Sequence, residues 1–169
     1  MKSSLNPFFL LLFAVFFISS CDEGLQPENK ADKAIIRWKI NYVGGVDAWK
    51  DSVYKQIRAI AFKNIPNENT NLVKEILEGK AIFTNDSLPM NVSETIYDME
   101  IVDLPVELKY LAVVKQFGDN FLADWRVIGL FASDAERKKP KSVIITKGNT
   151  YVIEINVDLN NLPPQPFNQ

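Results

Sequence analysis

The 169-residue chain has 47% hydrophobic and 24% charged positions, an ordinary globular composition, and its length suits one moderate core with none to spare for a second. A formal charge of −2, from 19 basic and 21 acidic residues, gives no broad positive field to collect phosphate backbones and argues against nucleic acid as a partner. Histidine is absent, which removes the side chain most used for proton transfer near neutral pH and for transition-metal ligation.

At the start of the chain, the amino terminus and Lys2 supply positive charge, Phe8 to Ile18 run without a polar interruption, and Ser19, Ser20 and Cys21 follow. This is the layout of a signal peptide. A run of about eleven residues is well short of the roughly 20 that span a bilayer as a helix. It is also apolar on every face, so it has no polar side to show water as a surface helix would. The stretch Ile18-Ser19-Ser20-Cys21 resembles the lipobox of bacterial lipoproteins, an apolar residue and two small ones before a modified cysteine. The resemblance implies a diacylglycerol on the Cys21 thiol, removal of residues 1–20, and an acyl chain such as palmitate on the new terminal amine. The bland alternative is a stray cysteine after an ordinary cleavable signal. A lone cysteine forms no intramolecular disulfide, so in an oxidising envelope the lipid explains it best. At about 0.8 kcal/mol per buried methylene, two or three acyl chains make attachment nearly irreversible.

Processing removes one lysine and no acid, leaving 18 basic and 21 acidic residues in a mildly acidic body. Asp22 to Lys33 is polar and aperiodic, with one glycine and one proline, and reads with Cys21 as a flexible tether over 21–33. Asp22 and Glu23 resemble the acidic sorting signals that follow the lipidated cysteine in some diderm bacteria. The implied location is the bacterial cell envelope, at the outer membrane or the cell surface.

A single domain is expected over 34–169, and its dominant period is two. Ile36, Trp38, Ile40 and Tyr42 alternate with Arg37, Lys39 and Asn41, the pattern of a strand wet on one face. Ile57 to Phe62 is apolar throughout and reads as a strand covered on both faces. Leu72, Val73, Ile76 and Leu77 form one stripe after Thr70 or Asn71 as N-cap and before Gly79 as terminator, which predicts a two-turn helix that covers a sheet. Ala81 to Thr84 suits a short strand, and Tyr97, Met99 and Ile101 against Asp98 and Glu100 mark another half-buried one. Leu108 to Val114 and Trp125 to Phe131 are again continuously apolar and belong at the centre of a sheet. Ser142 to Thr146 is expected to pair with the last strand, Tyr151 to Val157, through a turn at Lys147 to Thr150. Three prolines in the tail after Val157 prevent it from extending the sheet, so it should drape over the body, with Phe167 filling a groove.

Some eight short strands, turn signals and one brief helix predict a mainly β protein, a two-layer antiparallel β-sandwich. Gly44 to Pro66, Leu104 to Gly118, Asp124 to Gly129 and Ile155 to Phe167 together resemble uncharacterised exported bacterial lipoproteins. The mature part of those proteins is a transthyretin-like, prealbumin-type sandwich akin to carboxypeptidase regulatory-like domains. The resemblance implies a non-enzymatic stalk, binding or accessory role, with no catalytic residues to carry across.

Chemistry is sparse in the remaining residues. Ser52 and Lys55 have the S-x-x-K spacing, but they lead into a strand, where the reacting pair needs one helix turn. Asp119 and Asp124 flank a loop beside Trp125 and are the candidates for a carboxylate pair; their bland reading is as turn-formers. Asp158 to Asn161 offers oxygen ligands without the glycine and glutamate of an EF-hand loop, so no metal or other cofactor is expected. Glu136 to Lys141 is the sole basic cluster, read either as a headgroup contact or as a solvated hairpin loop whose lysines discourage edge pairing. Trp38 and Trp125 are expected inside, and Trp49, beside two glycines, is expected to be partly exposed. Loops 44–52 and 118–124, with Trp49, Asp119 and Asp124, are the candidate surface for a glycan or an envelope protein. The alternatives are a small carboxylate-dependent hydrolase, which needs two carboxyls in one cleft, and a hydrophobic-ligand carrier, which needs an apolar cavity.

Overall fold

The computed structural model describes residues 32–49 and 55–166. The expected signal peptide, Cys21, Asp22, Glu23, Ser52 and Phe167 lie outside the described residues. Among those described the fold is mainly β, with one short α-helix. Strand β1 (Ala34–Tyr42) leads through a 3₁₀ turn (Gly45–Trp49) to β2 (Gln56–Phe62), helix α1 (Leu72–Leu77) and β3 (Ala81–Phe83). Then come β4 (Glu94–Ile101), β5 (Val106–Leu108), β6 (Tyr110–Gln116), β7 (Trp125–Leu130), β8 (Val143–Ile145) and β9 (Thr150–Val157).

Two main sheets form the layers, one ordered β4-β1-β9 and the other β3-β2-β6-β7, and β5 pairs with β8 as a small third ribbon. The alternation in β1 works as expected: Ile36, Trp38 and Ile40 are fully buried against Ile57, Ala59, Leu111 and Val113 from the facing sheet. The opposite face of the first sheet is wet and laced by cross-strand charge pairs. Arg37 donates two bonds to Asp98, at 2.8 and 2.7 Å, and Lys39 meets Glu154 at 3.1 Å.

The second sheet is buried on both faces, as its continuous apolar segments require. Ile60, Phe62, Ala112, Val114 and Val127 form a second core on its outer side, with Leu72 and, partly buried, Ile76 of α1. The helix starts at Asn71, whose side chain accepts a bond from the Lys74 N–H, and Gly79 at φ +66° follows its end. Leu77, expected on the buried stripe, points to solvent.

Four expectations of topology are corrected. The pairing is antiparallel except between β1 and β9, which run parallel. Strand β8 pairs with β5, not with β9. The turn expected to close that hairpin instead docks on the start of β1, where Gly148 N–H donates to Lys33 O and Ile35 N–H to Asn149 O, so β9 leaves in the same direction as β1. The run from Leu108 to Val114 is not one strand: the chain changes sheets at Lys109, whose N–H donates to Phe62 O, and pairing with β8 lets Leu108 and Ile145 fill the first core. Finally β7 is an edge strand, not a central one. The tail covers that edge. Gln165 accepts from Val127 N–H and donates to Val127 O, both at 2.9 Å, as a neighbouring strand would. The tail thus drapes over the body as expected, with Gln165 supplying the contact.

Candidate ligand-binding surface

The sequence-derived surface divides into separate pieces. Trp49 is buried, with 4% of its surface exposed, where partial exposure was expected. The reason is local: Gly44 and Gly45, at φ +86° and +60°, turn the chain back. The indole then packs at a tilt against Tyr42, 4.6 Å between centroids, and donates to Val92 O at 2.8 Å. Burial pushes the Tyr42 phenol up to about 12, partly offset by the Thr95 hydroxyl. Trp38 and Trp125 are buried as expected, and the Trp125 indole donates to Phe121 O at 2.7 Å. No tryptophan among the described residues forms an open stacking platform.

Asp119 and Asp124 share the loop from β6 to β7 and serve different ends. The Asp119 carboxylate is almost fully exposed and pairs with the Lys55 ammonium, while Lys55 N–H donates to Gln116 O, so the residue before β2 and the loop 117–124 meet at this lysine. The Asp124 carboxylate accepts from Asn120 N–H at 2.8 Å and folds over Gly118. A Cβ at Gly118 would stand 2.7 Å from the Asp124 Cγ, so this loop needs a glycine there. Asp124 is therefore a loop staple, the turn-forming role weighed against catalysis.

A cleft lies elsewhere, beside β9. Its volume is about 380 Å³. One wall is the end of β9 and the turn after it, with Glu154, Asn156 and Asp158. The facing wall comes from the end of β7 and the loop after it, with Leu130, Ala132, Asp134 and Arg137. That loop is a hairpin closed by an Ala132–Pro140 bridge. The Asp134 carboxylate accepts from the N–H groups of Lys138 and Lys139, which hold it below its ordinary value. Arg137 takes φ +56°, and its guanidinium reaches across to donate to Asn161 O, tying the hairpin to the segment after β9. Glu154 is likewise held below the usual carboxylate range, first by its bond to Lys39 and then by Asn41. The basic cluster is thus a hairpin loop, as the bland reading had it, with Arg137 turned into a cleft.

The β9 wall offers its backbone as well as its side chains. Ile35 N–H bonds Asn149 O and Val43 N–H bonds Val157 O, and the register between them is unbroken. In a parallel ladder this aims the odd-numbered β9 groups at β1 and leaves the N–H and C=O groups of Val152, Glu154 and Asn156 facing outward. No described residue pairs with them.

In the sequence Glu154 and Asn156 fall within the last strand, Asp158 begins the segment after it, Arg137 lies in the basic cluster and Asp134 just before that cluster. No local signal joins them, because the cleft follows from β9 being an edge, which depends on the parallel pairing. Among the described residues no group of three or more His, Cys, Asp or Glu side chains is placed to hold a metal ion. No helix there is long and apolar enough to cross a membrane. No family model, curated protein or solved structure matches the chain.

Proposed function

We propose that this protein is a lipid-anchored module of the bacterial cell envelope whose transthyretin-like sandwich binds an envelope protein or glycan without chemistry of its own. The observation that carries the reading is the pairing of a lipobox-like Ile18-Ser19-Ser20-Cys21 with a β body that offers a polar cleft at an open sheet edge. The tether joins the body at the start of β1. Nine residues at about 3.3 Å each put Val43, on the cleft rim, roughly 30 Å from that entry. Such an arrangement suits a body that presents one end away from its anchor.

The hydrolase alternative is weaker on electrostatic grounds. A general acid needs a carboxyl whose value is raised, and Asp134 and Glu154 in the cleft are both lowered by their donors. A carrier of hydrophobic ligands needs the layers apart. At Gly129 they are so close that a Cβ would stand 2.7 Å from methyls of both Ile155 and Val157.

Two measurements on intact cells test the proposal. Metabolic labelling with an alkyne fatty acid should tag the full chain and fail to tag Cys21→Ala. A photo-crosslinking residue at position 156 should recover one discrete envelope component. An untagged wild-type chain, or crosslinks no more discrete than those from a position on the opposite face of the sheet, contradicts it.

A further inference from the structure

Resting on the binding-module reading, we infer that the cleft takes an extended peptide segment of a partner protein, which adds as a strand to the free edge of β9, and that this segment is basic. Val152, Glu154 and Asn156 present outward N–H and C=O groups with no partner among the described residues, and the cleft lies directly beside Glu154 and Asn156. A bound strand would satisfy three residues' worth of ladder bonds, the source of affinity when a peptide joins a sheet edge.

Side chains then set the polarity of the segment. Alternate residues of a strand point to opposite sides. One side of the added strand would meet the Leu130 and Ala132 wall and the other the acids. The lining holds three carboxylates, Asp134, Glu154 and Asp158, against one guanidinium, Arg137. Arg137 keeps its charge while it donates to Asn161 O, and Lys39 pairs with Glu154 from outside the lining, so within the lining itself the carboxylates stay in excess. The lowered values of Asp134 and Glu154 keep both charged at neutral pH. A segment alternating apolar and Lys or Arg side chains is favoured there, and an acidic one is repelled. The chain's own stretch from Asp22 to Lys33 holds more acids than bases and is a poor occupant by the same rule.

The test titrates the full lipidated protein in detergent with three capped hexapeptides and reads NMR shifts of the β9 amides. The first alternates Val and Lys, the second Val and Glu, and the third is the Val–Lys peptide with alternate backbone nitrogens methylated. The first should bind and shift Glu154 and Asn156. The methylated and the acidic peptides should each bind at least about tenfold more weakly. Glu154→Lys should reverse the preference between Lys and Glu peptides while leaving the circular dichroism unchanged. Equal binding of the methylated peptide, equal binding of the acidic one, shifts confined to other surfaces, or no binding by any peptide overturns the inference. So does pairing of two copies through β9, seen as a dimer by sedimentation. In these cases the module reading still stands if the crosslinking at position 156 yields a discrete component, and it falls only if that experiment fails as well.

Discussion

Replacing Gly129 by alanine is the sharpest probe of how the two layers meet. Gly129 pairs with Val113 beside a register shift that admits Ile128 as an extra residue in β7, and both Val113 and Ile128 are fully buried in the first core. A Cβ at 129 would sit 2.7 Å from Cγ2 of Ile155 and 2.7 Å from Cγ2 of Val157, about 1 Å inside the ordinary carbon separation. Neither neighbour yields easily, since both are buried β-branched side chains with restricted χ1. Overpacking of this kind costs about 1–3 kcal/mol, and the reduced freedom of the unfolded chain returns about 0.4–1 kcal/mol. The net loss should be about 1–2 kcal/mol. At about 4 °C per kcal/mol for a domain of this size, the midpoint should fall by about 4–8 °C. Thermal unfolding followed by tryptophan fluorescence measures that shift, and urea unfolding measures the loss of stability, with an unchanged denaturant slope showing that only stability moved. Val157→Ala removes one of the two clashing methyls, so the double variant should be more stable than additivity allows. A Gly129→Ala protein as stable as wild type, or an additive double variant, would refute the packing described between β7 and β9.

Other substitutions and pH have defined outcomes. Trp49→Ala should destabilise by about 3–5 kcal/mol, because a buried ring and its bond to Val92 O are lost, and the chemical-denaturation midpoint reports it. Gln165→Ala should cost about 1–2 kcal/mol and speed amide exchange at Val127, whose edge bonds it supplies. On the acid side, Asp98, Asp134 and Glu154 have folded values below their ordinary ones. Their contribution is present above about pH 4 and should be lost as pH falls through the lowered values, as acid titration of the unfolding midpoint will register. Tyr42 acts in the opposite direction. Its phenol rises from 10.0 to about 12, so its contribution is complete below pH 10 and should disappear as pH climbs through 12, with an ultraviolet phenolate signal that appears late.

Elements whose signal is local were legible in the sequence. The alternation of Ile36, Trp38 and Ile40, the all-apolar Ile57 to Phe62, and the Asn71 cap with Gly79 behind it each fix a strand or helix without reference to anything distant. Pairing partners were not legible, because they depend on which edge is free when a segment arrives. The Lys147 to Thr150 turn looks like a hairpin closure, yet its backbone finds Lys33 and Ile35, and that one choice makes β9 parallel and exposes its edge. Trp49 failed for a related reason. Its flanking glycines suggest exposure, while the acceptor that buries it, Val92 O, lies 43 residues on. The cleft inherits both difficulties: Arg137 and Glu154 are ordinary surface residues until a hairpin and an edge strand are set side by side.

Everything proposed for the cleft depends on β9 lying parallel to β1 with its other edge free. Residue-resolved amide exchange along β9 tests this directly. Tyr151, Ile153 and Ile155, bonded to β1, should exchange slowly, and Val152, Glu154 and Asn156 should exchange at least about a hundredfold faster, an alternation with period two. Uniform protection along the strand, or the opposite alternation, would contradict the account.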